Sequence, residues 1–349
     1  MVNFSFDEAL ELYLHAPLAE LMAAGDGLRR ELHPNNVVTW QIDRNVNITN
    51  VCVSGCKFCN FHCKPHQKEI AYITTMELYR EKIEQTLALG GDQLLLQGGM
   101  HPNLGINYYE TLFRQLKKEY PTLRLHALGP PEVAYLADKA SISDRQALER
   151  LIAAGLDSLP GAGAEILDTQ VRRRISPAKC SAERWLTVMA IAHQLGLATS
   201  ATMMYGHIET PKQRIEHLFK IKALQEQRPT ESYGFLAFIA WPYQGHGTIL
   251  EQEGVSTNNS TIDYLRLTAI ARLVLTNVPN IQASWLTIGV PAALMALHGG
   301  ANDMGSIMIE ENVVSAAGAH HTLNKQTMPE AISNAGFHPE QRNQLYQKV

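Results

Sequence analysis

Apolar positions along this chain follow two rhythms that take turns. Short apolar runs bounded by glycine or polar residues alternate with longer stretches in which apolar side chains recur three and four positions apart. The first rhythm marks strands buried on both faces, and the second marks amphipathic helices. Asp92-Gln-Leu-Leu-Leu-Gln97 and Tyr233-Gly-Phe-Leu-Ala-Phe-Ile239 are runs of the first kind. Tyr79, Ile83 and Leu87 form the stripe of a helix that runs to Leu89 and stops at Gly90-Gly91. Helix starts are also legible. Ser5 with Glu8, and Thr74 with Glu77, have the spacing of capping boxes, and Thr210-Pro211-Lys-Gln213 supplies an N-cap, an N1 proline and an N3 glutamine together.

In chain order the pattern predicts two short helices over 5–32, divided by Pro17, and strands at 37–40 and 46–49. Further strands are predicted at 92–97, 123–127, 156–160, 198–204, 233–239, 280–284 and 303–308. Helices fill the intervals, at 107–119, 131–139, 143–154, 182–195, from 210 onward, 261–276 and 290–298. Counted from residue 44 to 320, eight strands alternating with helices predict an α/β fold, a (β/α)8 barrel of the TIM type. An open doubly wound sheet is the alternative. It is disfavoured because polar or glycine-rich signals follow every strand, whereas such a sheet needs them mainly at its switch point. The expected organisation is an N-terminal helical layer over 1–40, the barrel over 41–320, and a tail over 321–349 that packs on or near the barrel and ends in a small helix.

Composition changes this picture little. With 45% hydrophobic and 18% charged residues and a net charge of −4, the chain suits a compact enzyme-sized core and offers no basic surface for nucleic acid. The N-terminus lacks the basic and apolar regions of a signal peptide, and no run of eighteen apolar residues suggests a membrane span. A cytoplasmic location is expected.

The cysteines change the picture most. Four of five lie between Cys52 and Cys63, and Cys52, Cys56 and Cys59 have the spacing C-x3-C-x2-C with Phe58 before the third. Three thiolates on one short loop suit an iron–sulfur cluster with one iron left open. Gly55 permits the tight turn between the first two. A structural zinc knuckle completed by Cys63, His62 or His66 stays open as a rival on spacing alone. A disulfide framework is disfavoured in a cytosolic chain of this size. Cys63 reads as a spare thiol.

The strand ends carry the remaining polar signals. Gln97-Gly98-Gly99-Met-His101-Pro follows the second barrel strand, and Pro160-Gly-Ala-Gly-Ala-Glu165 follows the fourth. Val171-Arg172-Arg-Arg-Ile-Ser-Pro177-Ala-Lys179 comes next, where Arg172 is the candidate for carboxylate recognition and a solvated face is the bland alternative. Tyr205-Gly-His207-Ile-Glu209 follows the fifth strand, and Trp241 and Tyr243 end the sixth, as pocket walls or as ordinary core. The segment from Gly300 to Gly318 sets Asn302, Asp303, Glu310, Glu311 and Asn312 among small and apolar residues, the composition of a loop. A plain turn at Gly98-Gly99, a satisfied loop histidine at His101 and helix-end charges at Glu165 and Glu209 are the competing readings.

The pattern C-x3-C-x-aromatic-C resembles the cluster loop of the radical S-adenosylmethionine (SAM) superfamily. Asp43-Arg-Asn-Val-Asn-Ile-Thr-Asn50, Gly163-Ala-Glu165 and Tyr205-Gly-His-Ile-Glu-Thr210 are similar to one subgroup of it, the menaquinone enzymes of the futalosine route together with the synthases of the deazaflavin chromophore. Asn280-Ile-Gln-Ala-Ser-Trp285 and Gly300 through Gly318 resemble most the branch that cyclises dehypoxanthine futalosine. The likeness runs from about residue 5 to residue 320. It implies a 4Fe-4S cluster on Cys52, Cys56 and Cys59, with SAM beside Phe58, Gly98, Gly99, Glu165 and Glu209. It also implies a substrate held by Arg172, Asn302 and Asp303, with His207 or, second, His101 taking the proton lost at the end. An electron donor such as flavodoxin or ferredoxin is implied, and neither nucleic acid nor membrane. Aminofutalosine synthase and deazaflavin-chromophore synthase chemistry are the near alternatives, and a zinc-stabilised ligand-binding barrel is the distant one. Asn60-Phe-His-Cys63 and Gln227–Ser232 depart from the pattern of relatives, which leaves the role of Cys63 open.

Overall fold

Capping fixes where the helices begin. In the computed structural model, which describes residues 3–257, 260–310, 312 and 321–349, Ser5 and Glu8 close a capping box on α1 (Phe6–His15). After α2 (Leu18–Leu32) come β1 (Val37–Gln41), β2 (Asp43–Asn47), α3 (Met76–Ala88), β3 (Gln93–Gln97), α4 (Ile106–Glu119) and β4 (Arg124–Ala127). Next are α5 (Pro130–Ala140), α6 (Asp144–Ala154), β5 (Ser158–Leu159), α7 (Thr169–Ile175), α8 (Ala182–Gln194), β6 (Ala198–Tyr205), α9 (Pro211–Glu226) and β7 (Gly234–Pro242). The chain ends with α10 (Ile249–Gln252), α11 (Thr261–Val274), β8 (Asn280–Gln282), α12 (Trp285–Ile288), α13 (Val290–Leu297), β9 (Asp303–Ser306), α14 (Thr327–Asn334) and β10 (His338–Gln341). The Thr210 capping box with Pro211 at the first helical position is present. The cap of α3 is Thr75, not the expected Thr74, whose hydroxyl instead donates to the Asn47 carbonyl at 2.6 Å.

All strand pairs are parallel, in the order β10-β1-β9-β8-β7-β6-β5-β4-β3-β2. β1 and β2 are one run interrupted at Ile42. Its lower half pairs with β9 and β10, and its upper half with β3. Beyond β9, Ile307 N donates to the Gln41 carbonyl at 3.0 Å and Ile309 N to that of Asp43 at 3.2 Å. The sheet thus curls until its far end reaches β2, which gives the eight strand positions of an α/β barrel. The helices cover its outside, and β6 is buried along its whole length.

Three features differ from the sequence reading. The strand expected at 46–49 lies at Asp43–Asn47, because its inward side chains are polar and the apolar rhythm passes over them. β1 starts inside the stretch assigned to the N-terminal layer and belongs to the sheet. The tail does form a helix, α14, but then adds β10 to the sheet, with Gln93 donating to Gln344 Oε1 at 3.2 Å. The N-terminal helices pack on the outer layer, α1 against α9 and α2 against α11. Gly25 permits the second contact, since a Cβ there would lie 3.3 Å from the Cα of Ala269 on α11.

Candidate active site

The cysteine loop leaves the top of β2 and is pinned at several points. Cys52 N donates to the Cys63 carbonyl at 3.0 Å, Cys63 N to that of Asn50 at 2.8 Å, and Lys57 N to that of Ile175 at 2.8 Å. Gly55 takes the left-handed turn expected of it, with φ of 62°. Cys52, Cys56 and Cys59 all line one cavity, whereas Cys63, 2% exposed, lies outside the lining. Backbone N–H groups of Ser54 and Met100 point at Cys52 Sγ, at 3.4 and 3.3 Å. Burial pushes the Cys56 thiol up to about 11, with Lys179 pulling against it. Among the described residues, no three His, Cys, Asp or Glu side chains converge on one ion position. Three thiols of one loop on one cavity would hold an iron–sulfur cluster, which supplies redox chemistry there.

The cavity, about 420 Å³, runs from this loop down the inside of the barrel. Phe58, Gly98, Gly99 and Glu165 line it as expected. A Cβ on Gly99 would lie 2.6 Å from the Val51 carbonyl carbon and 2.8 Å from Cys52 Cβ, so only glycine lets β3 pass the cysteine loop. Glu165 is held at φ of 47°, in the sparsely populated left-handed region. Its carboxylate accepts from Lys179 Nζ at 2.7 Å. That ammonium stands 5.3 Å from the Phe58 ring centroid, over the face beside the cysteines. Burial works to lower the Lys179 pKa, yet Cys56 and Glu165 outweigh it and hold the group charged. Trp241, Tyr243 and Trp285 supply aromatic wall.

Six of the expected site residues stand outside the lining. His207 is buried, with Nε2 on the Met204 carbonyl and Nδ1 taking the Ile208 N–H; burial lowers its pKa despite Glu209. Glu209 accepts from Gly206 N, His207 N and Arg214, and so closes its own turn. Burial raises its pKa, but His207 and Arg214 lower it further. Arg172, 2% exposed, is spent on the carbonyls of Gly163, Ala164 and Cys180. It braces the Glu165 turn and has no fork left for a carboxylate. His101 Nδ1 accepts from Asn103 N in its own loop. Asn302 joins Arg272, Ile281 N and Asn280, and Asp303 forms an ion pair with Arg342. Of the C-terminal segment, Glu310 pairs with Lys82 and Arg44 outside the barrel, while Glu311 and 313–318 lie outside the described residues.

The cavity also holds residues that the sequence reading passed over. Asp43, Asn45 and Asn47 of β2 face it. So do Lys179, Glu132, His126, Gln282 and, from the tail, Arg342, Gln344 and Tyr346. The alternation Asp-x-Asn-x-Asn was the available signal for β2, a strand written with its polar face inward. His126 Nδ1 is 2.7 Å from Ser158 Oγ, and burial, aided by Arg342, pushes its pKa down to about 3, so the imidazole is neutral. Burial raises Glu132 to about 7 against the pull of Lys179, and among the described residues its Oε2 has no partner.

A parallel barrel with three cysteine thiols at its upper end and an apolar-walled cavity behind them has the parts of a cluster-dependent enzyme acting on a small molecule. Comparison with known proteins gives the class its name. Residues 46–221 match the radical SAM superfamily, and residues 232–349 match the CofH/MqnC C-terminal region. Cyclic dehypoxanthine futalosine synthase of Streptomyces coelicolor is 44% identical over 98% of this chain and 85% of its own. The synthase of the same name from Halalkalibacterium halodurans is 39% identical over 99% of this chain and 92% of its own. A 5-amino-6-(D-ribitylamino)uracil–L-tyrosine 4-hydroxyphenyl transferase of Methanopyrus kandleri is 38% identical over 89% and 84%. Among solved structures, methylornithine synthase shares the fold, with a TM-score of 0.74 at 18% identity over 97% of this chain and 94% of its own. This chain belongs to the radical SAM superfamily, and its cofactors are a 4Fe-4S cluster and SAM. The zinc-stabilised binding barrel is thereby set aside.

Proposed function

We propose that the protein cyclises dehypoxanthine futalosine to cyclic dehypoxanthine futalosine in menaquinone biosynthesis. Hydrogen would leave the ribose 4′ carbon, the sugar would bond to the benzoate ring, and the cyclised radical would then give one electron to an external one-electron carrier and one proton to a base of the site. The near-full-length identity of 44% to a synthase of that name carries the reading. The cluster and SAM, when bound, supply the 5′-deoxyadenosyl radical that takes the hydrogen.

The chain's own residues do the rest. Cys52, Cys56 and Cys59 would hold the cluster, and Phe58, Gly98, Gly99 and Glu165 would hold SAM beside it. Lys179 keeps Glu165 oriented and adds positive charge next to the thiolates. Apolar walls at Trp241, Tyr243 and Trp285 keep water from a reactive carbon centre. Glu132, on the cavity wall with its carboxyl held at about 7 and Oε2 unpartnered among the described residues, is our assignment for the group that takes the proton. An external one-electron donor such as flavodoxin or ferredoxin would reduce the cluster. No helix among the described residues is long and apolar enough to cross a membrane, which agrees with a cytoplasmic enzyme.

A second reading, transfer of the tyrosine side chain to a ribitylaminouracil, draws on the 38% identity of the Methanopyrus relative. One anaerobic incubation of the reconstituted enzyme separates the two. Formation of 5′-deoxyadenosine with a product lacking two hydrogens of dehypoxanthine futalosine supports the cyclase. Consumption of tyrosine with the uracil substrate, and none of the futalosine, would sink it. Iron analysis tests the ligand set: Cys56→Ala is expected to lose the cluster and Cys63→Ala to keep it.

A further inference from the structure

The inner face of β2 has no task in the site so far described. Asp43, Asn45 and Asn47 are 3%, 2% and 4% exposed, and all three line the cavity. Alternate residues of a strand share a face about 6.6 Å apart, so the three form a row along the wall. The intervening residues point away: Arg44 bonds Lys82 and Gln85 of α3, and Val46 is core.

Among the described residues, Asp43 Oδ1, Asn45 Oδ1 and Asn47 Nδ2 have no partner, and no side-chain hydrogen bond holds Asn45. The other ends of Asp43 and Asn47 are occupied, which fixes their orientation. Asp43 Oδ2 accepts from Gln41 at 3.2 Å and Gln93 at 3.0 Å. Asn47 Oδ1 accepts from Asn312 Nδ2 at 3.2 Å. Other unpartnered atoms near the row are Arg44 Nε on its outer face and Gln93 Oε1 beside Asp43, while Glu132 and Tyr346 carry one each elsewhere on the cavity lining. Three in succession on one cavity wall offer an acceptor at Asp43, an amide able to give or take at Asn45, and a donor at Asn47. Buried atoms of this kind are costly unless something satisfies them.

We propose that β2 is a hydroxyl-reading wall for the sugar of the substrate, with Asp43 accepting from a sugar hydroxyl, Asn45 giving to or taking from the next, and Asn47 donating to a sugar oxygen. An ammonium would satisfy Asp43 but not Asn47, and a carboxylate would meet Asn47 but be repelled by Asp43. A run of hydroxyl and ether oxygens, each able to give or take, matches the whole row. This deepens the cyclase reading and rests on it, since that reading puts a ribose in the cavity.

The test uses the holoenzyme with cluster and SAM, titrated with dehypoxanthine futalosine and with its analogue lacking the ribose hydroxyls. Asn45→Leu and the near-isosteric Asp43→Asn are each expected to weaken substrate binding about ten- to a hundredfold. The analogue should bind the wild type more weakly by a similar factor, and the variants no more weakly than the wild type. Iron content and SAM affinity should stay at wild-type values, which a misfolded variant could not manage. Variants that bind substrate like the wild type would overturn the proposal and leave the cyclase reading standing. A wild type that fails to bind dehypoxanthine futalosine overturns the reading and the proposal with it.

Discussion

Asp303 at the foot of the barrel and Asp43 on its inner wall are both buried carboxylates, 0% and 3% exposed. Asp303 has both oxygens engaged. Arg342 Nε meets Oδ2 at 2.5 Å, Arg342 Nη2 meets Oδ1 at 2.9 Å, and Thr39 Oγ1 and Gly305 N complete the shell. Arg342 in turn reaches Gln41 and lies 3.8 Å from the Tyr346 ring centroid, so the tail is locked under the strands. Asp43 has one oxygen engaged and one without a partner among the described residues. The same contrast holds for the amides: Asn302 is saturated, whereas Asn45 keeps an unpartnered oxygen. A saturated buried polar group stabilises the fold, and an unsaturated one facing a cavity costs stability until a ligand arrives.

Substitutions at the two ends should therefore differ in size and sign. Arg342→Ala leaves Asp303 buried without its counter-charge and should cost about 3–5 kcal/mol by denaturant unfolding. A loss below about 1 kcal/mol would mean that the tail is not a structural clamp. Asn302→Ala strands Arg272 and two further donors and acceptors and should cost about 1–3 kcal/mol.

Glu132 tests the cavity side through pH. Burial holds its carboxyl at about 7, above the ordinary 4.5. The folded state then keeps a proton that the unfolded state has released, so wild-type stability falls as pH rises from about 4.5 to about 7 and flattens above. Glu132→Gln removes that slope. Melting curves at about pH 5 and about pH 8 should show the variant gaining on the wild type at the higher value, and parallel curves would refute the assignment. The smallest effect is expected at Asn45→Leu, within about 0.5 kcal/mol of wild type or above it, because an unpaired amide is lost along with its desolvation cost. A loss as large as that at Asn302 would erase the distinction between the two ends.

Much of the architecture was readable beforehand because it depends on local periodicity. The capping boxes at Ser5 and Thr210 stand where spacing put them. The paired glycines at 98 and 99 and the turn at Glu165 reach the cavity as their positions after strands suggested. The polar residues that looked functional in the last third, Asn302 and Asp303, belong to the foot of the barrel, and Arg172 is a brace. Sequence shows that a residue is polar but not whether a partner already satisfies it. Asp43, Asn45 and Asn47 were visible as letters, yet a strand with its polar face inward gives no apolar signal.

By itself, the sequence determined the alternation of strand and helix, and with it the barrel, and it set three thiols on one short loop. Both follow from neighbours close in the chain, through hydrogen-bond periodicity and ligand spacing. Only the tertiary structure decided which buried polar groups are spent and which are free. That depends on partners far apart in sequence, such as Arg342 on Asp303 or Asn312 on Asn47, which folding alone brings together.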